Sequence, residues 1–203
     1  MNSGTRMQAG LAIAEFQPVL DFWFGAPGSR GYGASRKAWF RKSAAFDAQV
    51  RERFSGPHAI ALAGNLQNWQ ETPQGLLALI ILLDQFSRNM FRDTPAAFAG
   101  DPMALAAARL MIAHGWDAQL APVMRSFVYL PFEHAEDLGA QEEALRLFAT
   151  LPAGAERDEV LEWARKHHEV IRRFGRFPHR NAILGRPSTL EEVAFLKQPG
   201  SRF

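Results

Sequence analysis

From Leu76 to Leu83 the chain carries eight consecutive apolar residues, followed at once by Asp84-Gln85-Phe86-Ser87-Arg88-Asn89-Met90-Phe91-Arg92. A helix that is apolar on every face has to be buried on every face. One that then turns polar within a single residue runs through a core and emerges at its edge. Eight residues are too few for a membrane span, which needs about 20. Thr72-Pro73 starts this helix, with Thr as N-cap and Pro at the first helical position. The pattern then continues to about Phe91.

The rest of the sequence also reads as helices. No run alternates β-branched and polar residues between hairpin turns. Apolar spacing and turn residues predict helices over Phe16–Phe24, Arg36–Phe54, His58–Trp69 and, opened by Asp101-Pro102 as a second cap, up to His114. Gly56-Pro57 separates the second from the third. Further helices are predicted over Pro122–Val128, from Pro131 to Ala149 and from Glu156 to Phe174. A capping box at Ser188-Thr189-Leu190-Glu191-Glu192 starts a last one, ending near Lys197. Short links favour antiparallel neighbours. Residues 1–14 read as a disordered tail and 15–203 as a single all-helical domain. Gly31-Tyr32-Gly33 follows no strand and reads as a loop, not a phosphate-binding turn.

Composition narrows the function classes. The chain has 203 residues, a net charge of +2 and no cysteine. Without thiols there are no disulfides, thiolate metal sites or cysteine nucleophiles. Such a chain fits a reducing cytoplasm. No signal peptide is apparent at the start. A net charge so near neutral gives nucleic acid no purchase, and the pI of about 9.3 reflects Arg outnumbering Lys.

Three charged segments carry the candidate chemistry. In the first, Asp84, Arg88 and Arg92 fall on one stripe at i, i+4 and i+8, with Gln85 and Asn89 beside them. In the second, Pro131 to Glu143 holds five acids and no Lys or Arg, with Glu133 and Asp137 on one face and His134 between them. A histidine flanked by carboxylates suits a general base. The segment lacks a Glu-x-x-His pair, so neither a metal nor a cofactor is expected. In the third, Arg165 to Arg186 has six Arg and one Lys against one Glu. Its loop, Phe174-Gly175-Arg176-Phe177-Pro178-His179-Arg180-Asn181, has no helical periodicity to explain it.

Two readings fit. In one, the segments build a polar pocket for a small anionic, phosphorylated ligand. Arg88, Arg92, Arg176 and Arg180 would grip the anion, and His134, Glu133 and His179 would be the candidates for proton transfer. In the other, the basic segment docks on the acidic one and on Asp84 as internal struts, and the protein is a non-enzymatic adaptor for a peptide. The sequence does not decide whether the protein is an enzyme.

Four segments resemble the bacterial DUF924 family of uncharacterised proteins. They are Val19 to Gly25, Leu83 to Arg92, Tyr129 to Asp137, and Phe174 to Arg186 with Ser188-Thr189. Ser87 and Ala135 depart from the family pattern, which has Pro and Ser there. Of two adjacent histidines, His167 fits the family position. The matched segments add Phe177, Asn181 and Arg186 to the ligand-site candidates. The resemblance implies antiparallel helices in a tetratricopeptide-like right-handed superhelix. It implies no activity, catalytic residue or cofactor.

Overall fold

A computed structural model of the chain describes residues 15–39 and 41–201, and every regular element among them is helical. Residues 1–14 and Phe40, which the sequence reading had assigned to a tail and to the second helix, lie outside the described residues. Helix α1, Gln17–Phe24, buries Trp23 and Phe24 completely and ends at Gly25, whose φ of 87° suits glycine alone. These two rings pack with Trp39 and Phe127 into an aromatic cluster.

Helix α2, Ala44–Leu62, corrects two expected boundaries. It begins not at Arg36 but after Ser43, whose side chain accepts the Phe46 N–H. It also runs straight through Gly56-Pro57. Proline inside a helix forfeits one hydrogen bond, here to the carbonyl of Arg53, an exposed residue.

The apolar segment is the centre of the fold. Thr72 caps helix α3, Pro73–Ile80, by accepting the Gly75 N–H. The chain then widens into a π turn, Ile81–Phe86, and closes with helix α4, Ser87–Met90. Every side chain from Leu76 to Leu83 is buried. Gly100 packs directly on the π turn, where a Cβ atom would stand 2.3 Å from the Leu83 carbonyl oxygen. Helix α5, Asp101–Ala113, starts right after it and packs on α3. The stretch Pro95–Ala113, which includes α5, is long and apolar enough to cross a membrane by length and composition. It is interrupted at Gly100 and carries the ion-paired Asp101.

Helix α6 corrects a third boundary. It spans Pro122–Glu133, with Pro131 inside it rather than opening a new helix. The break falls at Asp137, whose extended backbone and side chain cap helix α7, Leu138–Ala149, by accepting the Ala140 N–H. Glu133 and His134 therefore end one helix instead of beginning the next. Helix α8, Ala155–Phe174, stops at Gly175 in the left-handed conformation, φ 68°. A 3₁₀ turn at Pro178–Arg180 follows, and then helix α9, Leu190–Phe195, with the expected Thr189–Glu192 capping box. Helices α5 to α8 pack each on the next, while α3 also meets α1, α5 and α6. A small satellite core of Val170, Ile171 and Phe177 binds the last loop to α8.

Candidate functional site

Five elements converge at the end of the buried helix. The π turn contributes Asp84 and Gln85, and α4 contributes Arg88. α5 opens with Asp101, and α6 ends with Glu133 and His134. The 3₁₀ turn after α8 carries Arg180. π turns recur at functional positions because the extra residue re-aims the side chains that follow. Here the turn delivers a carboxylate, Asp84, into a fully buried position.

Asp84 is held from three sides. His134 Nδ1 lies 2.7 Å and Arg88 2.9 Å from Asp84 Oδ1, and Gln85 donates to Oδ2 at 2.6 Å. Burial alone would raise its pKa. Arg88 first, and His134 next, outweigh that and hold it well below the usual carboxylate range. An ionised carboxylate only accepts, so His134 carries its proton on Nδ1 and presents its lone pair on Nε2. Burial and the Arg88 charge push the imidazole below its ordinary pKa, against the pull of Asp84, so it is neutral at pH 7. The His134 side chain keeps 16% of its surface exposed, which leaves the site an edge open to solvent.

Arg88 and Arg180 share Asp101. Arg88 grips it with two bonds, 2.8 and 3.1 Å, while Arg180 reaches it only at 3.4 Å. Arg180 also donates to the His134 carbonyl at 3.0 Å and lies between the rings of Phe177 and Phe98, 4.4 and 4.6 Å from their centroids. Its Nε is buried and has no hydrogen-bond partner among the described residues. Burial, followed by repulsion from Arg88, pushes this guanidinium down to about 10. The surroundings therefore undercompensate its charge.

Behind His134 sits a second titratable pair. Glu133 Oε1 is 3.2 Å from His167 Nδ1, which donates to the Trp163 carbonyl at 2.9 Å. Burial, then the Asp84 charge, pushes Glu133 up to about 8. Burial pushes His167 down to about 3. At pH 7 both are neutral, so the contact is a close polar approach rather than an ion pair. The rings of His167 and His179 flank Phe177 at 5.5 and 5.6 Å.

The other candidates are placed apart. Arg186 makes a two-point pair with Glu136, 2.5 and 2.8 Å, and also donates to Asn181. Glu136 in turn accepts the Phe177 N–H. Arg176 makes a two-point pair with Glu192, which Asn181 also contacts. The expected i+8 stripe does not persist. α4 stops at Met90, so Arg92 leaves the helix and, with Asn89, binds Asp47 of α2. Asp137 is used as the α7 cap. An arginine of the last loop was expected to pair with Asp84, Glu133 or Asp137. The segments do meet, but Asp101 and Glu136 are the carboxylates that join them.

Sequence reasoning missed Asp101, Glu136 and Phe98. Asp101 before Pro102 looks like an N-cap, yet the cap position belongs to Gly100 and Asp101 makes no capping bond. Glu136 reads as one acid among several at a presumed helix start. No periodic signal marks Phe98.

Residues 19–200 match the profile of a family described as bacterial protein of unknown function, DUF924. The chain belongs to the DUF924 family. A solved structure of a protein of unknown function from Agrobacterium tumefaciens is similar to this DUF924 protein throughout. It shares 40% sequence identity and a TM-score of 0.79, over 91% of this chain and 97% of that one. No curated protein matches the chain.

Proposed function

We propose that the Asp84–His134–Arg180 cluster binds a small anionic ligand, with His134 Nε2 as the proton-accepting atom. The observation that carries this reading is the 2.7 Å contact between Asp84 and His134, which fixes the tautomer of a neutral imidazole beside two arginines. A carboxylate that orients a histidine in this way is a recurrent device for general-base work. Arg180, with an unused Nε and an incompletely balanced charge, supplies the attraction for an anion. A phosphate ester or a carboxylate fits this donor set. Glu133, neutral and one residue away, is the acid of the same centre.

The competing adaptor reading rests on a different observation. Arg92, Arg176 and Arg186 each make two bonds to one carboxylate and join separate elements, as struts would. We therefore leave Arg92 and Arg176 out of the anion clamp and Arg186 out of the ligand site. Consecutive packing of α5 to α8 supports the further reading of a tetratricopeptide-like right-handed superhelix. The chemistry proposed needs no oxidising compartment, and we place the protein in the cytoplasm.

Thermal denaturation with inorganic phosphate, sugar phosphates and small carboxylates tests the site. A ligand at about 100 times its Kd stabilises by roughly 2.7 kcal/mol, enough to raise the melting temperature measurably. The shift is expected in the wild type and is lost in His134→Gln. If no anion shifts the wild type, the adaptor reading replaces this one. Arg180→Ala does not separate the readings, because Arg180 also braces Asp101 and the His134 carbonyl.

A further inference from the structure

Charge balance at the inner cluster constrains how any anion can enter it. Two carboxylates, Asp84 and Asp101, face two guanidiniums, Arg88 and Arg180. The remaining groups facing His134 are neutral at pH 7: Glu133 on its own helix and His167 from α8. The nearby Glu136–Arg186 pair balances itself. The empty cluster thus has no net charge. An additional anion buried against it would be uncompensated, which is costly in a desolvated site.

We infer that an anion enters this site together with one proton, which His134 takes up, so that the occupied site holds an imidazolium between Asp84 and the ligand. The inference rests on the proposed anion site and specifies its ligand as an anion carried in with its proton. The step balances simply: an N–H bond forms at Nε2 of the neutral ring as an O–H bond breaks in hydronium or in the acid form of the ligand, leaving water or the ligand anion. Geometry selects His134 over its neighbours. Its Nδ1–H already donates to Asp84, so a second proton creates an ion pair in place. Part of its ring still reaches solvent. His167 is buried deeper, and its Nδ1–H is held by the Trp163 carbonyl beside the Glu133 carboxyl group. Arg88 from α4 opposes the extra charge, and Asp84 and Asp101 favour it. An incoming anion adds to the favourable side and tips the balance.

The test is isothermal titration calorimetry with sulfate and with acetate, which do not titrate between pH 6 and 8, and with inorganic phosphate. Each is run in two buffers of different ionisation heat. Wild-type protein is expected to take up close to one proton per bound anion at pH 8, and the affinity for sulfate or acetate to fall about tenfold per pH unit above neutrality. His134→Gln, which keeps the volume and a donor, should lose this binding, and any residual binding should come without proton uptake. Asp84→Asn should lower the uptake if it folds. Binding in the wild type with no proton uptake and no pH slope overturns this inference and leaves the anion site standing. Uptake that persists undiminished in His134→Gln also overturns it. Absence of binding by all three anions overturns both.

Discussion

Two clusters of arginines and carboxylates meet at Phe177, and they are wired differently. In the outer cluster each arginine has its own carboxylate: Arg176 with Glu192, Arg186 with Glu136. Both pairs are two-point and leave little capacity. In the inner cluster Arg88 and Arg180 share Asp101, and Asp84 is divided between Arg88 and His134. Dedicated pairs hold a loop in place, whereas shared ones leave unspent demand, here at Arg180 Nε, which has no hydrogen-bond partner among the described residues. Arginines that look equivalent in sequence are therefore not equivalent in role.

The largest expected effect comes from Asp84→Ala. It strips Arg88 and His134 of a fully buried partner, and removing one side of a buried pair costs roughly 3–5 kcal/mol. Chemical denaturation measures it. A loss below about 1 kcal/mol would mean that the inner cluster is solvated and resembles the outer one.

The next effect is a pH dependence from the Glu133–His167 pair behind His134. Glu133 has its folded pKa raised from an ordinary 4.5 to about 8. Between those values the unfolded chain has released the proton and the folded chain has kept it, so stability falls as pH rises through this window. His167 works in the opposite sense. Its folded pKa is lowered from 6.5 to about 3, so its contribution is complete above 6.5 and declines as pH falls towards 3. Glu133→Gln keeps the neutral hydrogen-bonding shape and removes the first slope. At pH 8 it should be more stable relative to wild type than at pH 4.5, by roughly 2–4 kcal/mol, since one pK unit is about 1.4 kcal/mol. A denaturation series across pH checks this. An unchanged slope in the variant would show that Glu133 is ionised in the folded protein.

The smallest effect separates braces from the site. Arg186→Lys keeps the charge and loses the fork at a partly exposed pair, at a cost of about 1 kcal/mol. Arg180→Lys should cost more, because its guanidinium plane fills the space between Phe98 and Phe177. Equal costs would erase the distinction between the clusters.

Much of this was legible in the sequence, for reasons that can be named. The apolar run from Leu76 to Leu83 required burial, and the step to Asp84 located the edge of the core. Thr72, Gly175 and the Thr189–Glu192 box were readable because caps are local chemistry. Pro57 and Pro131 misled because tertiary packing tolerates the loss of one hydrogen bond within a long helix. The π turn left no periodic trace. It depends on Gly100, from another segment, approaching the Leu83 carbonyl. Of the charged and polar residues singled out on the matched segments, Asp84, Gln85, Arg88, His134 and Arg180 meet in one cluster, while Asn89, Arg92, Asp137, Arg176, Asn181 and Arg186 bond elsewhere. Asp101 and Glu136 were hidden because each sits at a helix boundary, where an acid has an ordinary local explanation.

The account stands on the state of one imidazole, and nitrogen-15 NMR of His134 at pH 7 reads it directly. The expected spectrum is that of a neutral ring with its proton on Nδ1, hydrogen-bonded to Asp84, and a bare Nε2. A ring protonated on both nitrogens at pH 7 would make His134 a permanent counter-ion of Asp84 and the inner cluster a brace like the outer one.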